Sequence, residues 1–124
     1  MNPSSHKRLF TLSATFNWLV GLLLFFNAGL LFQIFHVTPL PTETPFLRMF
    51  AGLVFIFGFA YYAAGNDPKT HAPVIRLGAV AKLAVVAIAA YEVIAGSISW
   101  QFMLLAGADL VFAVLFFKAL KSVH

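Results

Sequence analysis

A chain of 124 residues that is 61% hydrophobic, holds 15 phenylalanines and carries only 10% charged residues cannot wet the surface of a soluble domain, since soluble domains are roughly 25% charged. The absence of cysteine excludes a disulfide-stapled module, thiol–disulfide exchange and thiolate metal sites. The net charge of +4 does not point to nucleic acid, because the basic residues sit in short flanks between apolar runs and not in a stripe.

A helix crosses the hydrocarbon core with about 20 predominantly apolar residues. Residues 9–35 form an uncharged run of 27, long enough to cross with tilt or to leave a turn at the interface. The run far exceeds the roughly 7–15 apolar residues of a signal peptide, and no A-x-A site follows, so this span is expected to be retained. Residues 46–65 follow with Arg48 as their only charge. Residues 74–96 are interrupted by Lys82 and Glu92, and residues 100–117 carry Asp109 near their midpoint. Backbone groups in lipid must be satisfied within the segment, so the runs are expected to be helices.

Three connectors separate them. The first holds Pro39 and Pro41 and closes on Thr44-Pro45, with Thr44 as expected N-cap and Pro45 at the first helical position. Gly65-Asn66-Asp67-Pro68 ends the second helix with residues suited to a turn. Residues 97–99 make a very short last turn, and Ser99 is a candidate cap. Short connectors make sequential helices antiparallel neighbours. The expected architecture is an all-α, up-down-up-down integral membrane four-helix bundle, one transmembrane domain over residues 1–124.

Lys7, Arg8, Lys69, Arg76, Lys118 and Lys121 flank one side of this layout and Arg48 the other. That asymmetry predicts both termini in the cytoplasm, in a bacterial inner membrane, with a single direction of insertion.

Ionisable residues inside the spans are costly, about 2.5–3.5 kcal/mol each at a helix centre, so they are expected to face inward and pair. At about 1.5 Å rise per residue, Asp109 lies near the midplane and Lys82 roughly 5 Å to its cytoplasmic side. Arg48 and Glu92 lie roughly 12 Å and 10 Å to the outer side. The expected pairs are Lys82 with Asp109 and Arg48 with Glu92.

Helical phase supports a common interior. Ser13, Asn17, Gly21, Leu24 and Ala28 make one stripe; Arg48, Gly52, Phe55, Phe59 and Tyr62 make a second. Gly78, Lys82, Val85, Ala89, Glu92 and Gly96 make a third; Phe102, Ala106, Asp109, Ala113 and Phe116 a fourth. Small residues beside the polar ones allow close backbone approach.

Lys82 and Asp109 are the candidate binding residues, with Asn17 and Tyr62 as helpers; Arg48 and Glu92 are read as a structural pair. A buried pair also serves to fix helix order and register, so both roles stay open for the deep pair. Trp100 fits an interfacial belt. Trp18 and the rings at Phe25, Phe26, Phe32, Phe55, Phe57 and Phe59 line either a lipophile cavity or the lipid face. His6, His36, His71 and His124 lie outside the spans or at their ends, where no pair can hold a haem iron within the bundle. His36 and Glu43 share a loop but do not amount to a metal site, and no phosphate-binding glycine loop is present. No cofactor is expected.

The second span and its turn, FLRMFAGLVFIFGFAYYAAGNDP, together with the four-span layout, resemble small bacterial membrane proteins of the DoxX-like kind. The glutamate–glycine pattern of the third helix in that family is reduced here to Glu92 with Gly96. The resemblance implies a four-helix membrane fold and, for many such proteins, association with membrane redox complexes; it transfers no catalytic residue. Three functions fit: a non-enzymatic protein that binds or passes a small or lipophilic molecule, an accessory subunit of a membrane complex or a homo-oligomer, and a cofactor-free isomerase.

Overall fold

Asn2 starts the first helix, its side chain accepting the Ser5 N–H at 2.8 Å ahead of Pro3 at the first helical position. The computed structural model describes residues 2–42 and 44–123. It is all-helical, with no strand among the described residues: α1 (Pro3–Ile34), α2 (Thr44–Asn66), α3 (Ala72–Ala95) and α4 (Phe102–Ser122). All four helices are long and apolar enough to cross a membrane, which marks an integral membrane protein. The helix α1 begins ahead of the apolar run because Asn2 and Pro3 nucleate it. At the other end α4 outlasts its apolar run, with Lys121 in its last turn, where a cation suits the helix dipole.

Residues 9–35 do not make one straight rod. Asn27 leaves helical geometry at φ −156° and ψ 67°. Its side-chain oxygen accepts the Leu30 N–H at 3.1 Å, capping a redirected final stretch. That stretch ends in a Schellman motif: the Val37 N–H reaches the Phe32 carbonyl at 2.8 Å and the His36 N–H the Gln33 carbonyl at 3.1 Å. His36 takes the left-handed position, φ 58°, that glycine usually holds. Gly96 holds it at the end of α3, φ 84°, with Ser97 N–H bonded to the Glu92 carbonyl.

Ser99 does not cap α4. Its hydroxyl accepts the Thr38 N–H at 2.9 Å, and its own N–H donates to the Thr38 carbonyl at 2.7 Å. The reciprocal pair latches the α1–α2 loop to the α3–α4 turn. Gln101 stands at the α4 cap without a side-chain bond. Thr44 opens α2, and its side chain, like Glu43, lies outside the described residues. The α2–α3 turn is held by Asp67, whose carbonyl accepts the His71 N–H and whose carboxylate accepts from Thr70. Hydrogen bonding from Thr70, side chain and backbone, holds the Asp67 carboxyl below its ordinary value.

The antiparallel helices form two hairpins: α1 lies along α2, and α3 along α4, over most of their lengths. The α2–α3 and α1–α4 seams are much shorter. Two apolar clusters fill the bundle. Near the termini, Phe10, Tyr61, Ile75 and Phe116 interlock with small residues of all four helices. At the loop end, Leu24, Leu31, Phe32, Ala51 and Leu105 gather beneath Val37. Packing of this kind, and not hydrophobicity alone, holds helices together in lipid.

Candidate functional site

Between the two clusters each helix contributes one polar side chain: Asn17 from α1, Tyr61 from α2, Lys82 from α3 and Asp109 from α4. The Lys82 ammonium donates to Asp109 Oδ1 at 2.7 Å and to Asn17 Oδ1 at 3.1 Å. The Asn17 amide donates in turn to the Val54 carbonyl at 3.0 Å. That network fixes the amide orientation, because an ammonium can only donate. Lys82 is 4% exposed, so these partners stand in for the water an ammonium would otherwise hold. Three ring faces also cover the ammonium: Tyr61 at 5.2 Å, Phe112 at 5.3 Å and Phe16 at 5.6 Å from Nζ to the centroids. Rings at these distances stabilise a desolvated cation through the quadrupole of the π face.

Tyr61 is held in place by a close approach. Its ring lies against Gly78, where any Cβ would fall 2.6 Å from Cε1, and it stacks edge-on against Phe116 at 5.0 Å. A residue larger than glycine at position 78 would displace the ring from this position.

On the loop side of this cluster lies a cavity of about 270 Å3. Its walls are apolar: Phe16, Val20, Leu24 and Phe32 of α1, Leu53, Val54 and Phe57 of α2, Ala81 and Val85 of α3, Leu105 and Ala106 of α4. Asn17, Tyr61, Lys82 and Asp109 supply its polar end. Val37 shares a packed cluster with the lining residues Leu24, Phe32 and Leu105, and the Thr38–Ser99 bonds tie the two loops together. The lining residues Phe50 and Leu53 are exposed on the outside of α2, so the cavity meets the exterior along the thin α2–α3 seam.

Lys82, Asp109 and Asn17 are thus brought together, and two other expectations are corrected. Arg48 and Glu92 do not pair: among the described residues the only ion pair is Lys82–Asp109. Arg48 is exposed near the start of α2, its guanidinium 5.8 Å from the Phe25 ring centroid. A long side chain near a helix end reaches the interface without needing an acid. Tyr62 is also outside the cluster, 47% exposed and 6.0 Å from Trp18 between ring centroids. The interior face of α2 is Ala51, Val54, Gly58, Tyr61 and Gly65, about 100° from the expected stripe, one residue's turn. Ser13, Asn17, Gly21 and Leu24 do face inward on α1, as do Gly78, Lys82 and Ala89 on α3 and Ala106, Ala113 and Phe116 on α4.

The aromatic residues divide between cavity and exterior. Phe32 and Phe57 line the cavity, while Phe25, Phe26 and Phe59 are exposed. Trp18 packs on Gly58, where a Cβ would meet Nε1 at 2.5 Å, and that nitrogen has no hydrogen-bond partner among the described residues. The sequence reading missed Tyr61 and the Val54 carbonyl. The small residues Ala51, Gly58 and Gly65, spaced seven apart with Tyr61 on the same face, were the available signal.

No protein-family model, curated protein or solved structure matches the chain.

Proposed function

We propose that this chain is a membrane protein that binds a small lipophilic molecule in the cavity between its two hairpins. The ligand's polar end meets Lys82, Asp109 and Asn17, and its apolar body fills the space toward the loop end. The observation that carries the reading is a cavity of about 270 Å3 whose apolar walls end on an ion pair between the buried Lys82 and the part-buried Asp109. An ion pair whose only role is to fix register gains from being packed round, because unfilled space forfeits dispersion contacts. A concave, largely apolar space with a few convergent polar groups is how ligand sites are usually built. The exposure of the lining residues Phe50 and Leu53 on α2 and the thin α2–α3 seam favour entry sideways from the bilayer. The reading includes a bacterial inner membrane, both termini cytoplasmic and a relation to DoxX-like four-span proteins. Its support is the gathering of Lys7, Arg8, Lys69, Arg76, Lys118 and Lys121 at one end and the resemblance of the second span.

The test is mass spectrometry of the chain released gently from its native membrane, beside Leu105→Trp, which fills the cavity. The expected result is a lipophile retained by the wild type and lost from the variant. A cavity empty in every preparation, with a constant companion chain, would establish the accessory-subunit reading instead. Orientation is read separately, because a chain without native cysteine accepts single probes at Ser4 and Thr42. Labelling of intact cells at position 42 and not at position 4 is expected; the reverse would refute the topology.

A further inference from the structure

The polar end of the cavity says which head group it takes; the argument rests on the reading that the cavity binds a lipophile. Lys82 and Asp109 stand 2.7 Å apart, and no other charged side chain lines the space. The site is therefore neutral as a whole. An ammonium has three donor hydrogens and a carboxylate only acceptors. Two of the three hydrogens go to Asn17 and Asp109. Among the described residues, the third hydrogen and Asp109 Oδ2 have no hydrogen-bond partner. One donor hydrogen and one acceptor oxygen without a hydrogen-bond partner thus belong to two side chains that line the same apolar space.

An anionic head would satisfy Lys82 but bring a second negative charge against Asp109. A cationic head would do the same to Lys82. Either leaves an uncompensated charge where solvent is scarce, which is the expensive outcome. A hydrocarbon leaves both polar atoms unmet. A hydroxyl accepts from the ammonium and donates to the carboxylate with one oxygen, and adds no charge. Size follows from the volume. An engineered apolar cavity of about 150 Å3 takes benzene, so about 270 Å3 holds on the order of ten carbons by proportion.

We infer that the cavity selects an uncharged alcohol or phenol on the order of ten carbons, with its hydroxyl seated between Lys82 and Asp109. Charge balance sets the selection, so it can be inverted. Removing the carboxylate leaves a cationic site that prefers an anion; removing the ammonium leaves an anionic site that prefers a cation.

The experiment is scintillation-proximity binding of tritiated 1-decanol to the full chain in lipid nanodiscs, with unlabelled 1-decanol, decanoate, decylammonium and decane as competitors. The expected result is saturable binding, with 1-decanol competing at least about tenfold more strongly than the other three, the ratio of a difference near 1.4 kcal/mol. Asp109→Asn is expected to move the preference to decanoate, and Lys82→Gln to decylammonium, each by a similar factor. Decanoate or decylammonium competing as well as 1-decanol in the wild type overturns the neutral-head inference and leaves the ligand cavity standing. Saturable binding that persists unchanged in Leu105→Trp places the alcohol elsewhere and overturns the inference. No saturable binding of any of the four overturns the inference and the ligand cavity together.

Discussion

The terminal half of the bundle and the loop half are built from the same residue types and packed to different ends. Near the termini, Phe10 stacks on Phe116 at 4.8 Å, Tyr61 closes on Phe116 at 5.0 Å, and alanines and glycines fill what remains. In the loop half, leucines and phenylalanines surround open space and the ends of the hairpins are tied by hydrogen bonds between loops. The polar cluster lies at the boundary, supported on one side by packed rings and facing the cavity on the other. Solid packing on one side holds the geometry of the groups that the open side presents. A site made this way needs no mobile loop, because rigid helices set its positions.

Substitutions in the two halves and at their boundary are expected to differ in effect. The largest is expected at the boundary. Asp109→Leu alone strands the buried Lys82 ammonium and should lower stability by about 3–5 kcal/mol in detergent unfolding; Lys82→Met alone strands the part-buried Asp109 and should cost less, and the double variant should recover most of either loss. If the single variants unfold like wild type, the pair contributes nothing to the fold.

Next comes the contrast between halves. Phe116→Ala opens a void in interlocked rings and should cost about 3–5 kcal/mol. Leu105→Ala enlarges a cavity that already exists, so it should fall at the low end of its range, about 2 kcal/mol. Equal losses would remove the distinction between the halves. Breaking the loop latch with Ser99→Ala removes one side-chain hydrogen bond and leaves the backbone bond in place. A loss of about 1 kcal/mol is expected, with faster hydrogen exchange at Thr38.

The smallest effect lies in the α2–α3 turn. The carboxyl of Asp67 is held below its ordinary value by Thr70, so its contribution is present above the unfolded pKa and lost as pH falls through the lower folded one. The Thr70 amide resonance should keep its bonded position below about pH 3.9, the ordinary aspartate value, and then shift; Asp67→Ala should abolish that titration.

Most of the fold was legible because lipid punishes polar residues that face it. Asn17, Lys82 and Asp109 each declared the inner face of their helix, and those three faces point inward in the structure. The helix α2 offered no such marker. Its one charge, Arg48, sits near an end where it reaches the interface, and anchoring the stripe there turned the face by one residue and exchanged Tyr61 for Tyr62. Asn27 lay inside an apolar run and read as continuous helix, since a side-chain cap on its own backbone leaves no hydrophobic trace. The latch between Thr38 and Ser99 joins residues far apart in the chain, one of its two bonds being backbone to backbone, and no spacing rule reports it. The cavity depends on side-chain volumes summed across two hairpins, which no single helix reveals.

The central claim is that a lipophile occupies the space beside Lys82 and Asp109. Photolabelling with a diazirine-bearing medium-chain alcohol, mapped by peptide mass spectrometry, tests it directly. Adducts are expected at Leu53, Val85, Phe102 and Leu105, which line the cavity, and should disappear with excess 1-decanol. Adducts spread over outward residues such as Phe26, Ile88 and Ile94, unaffected by competitor, would contradict it.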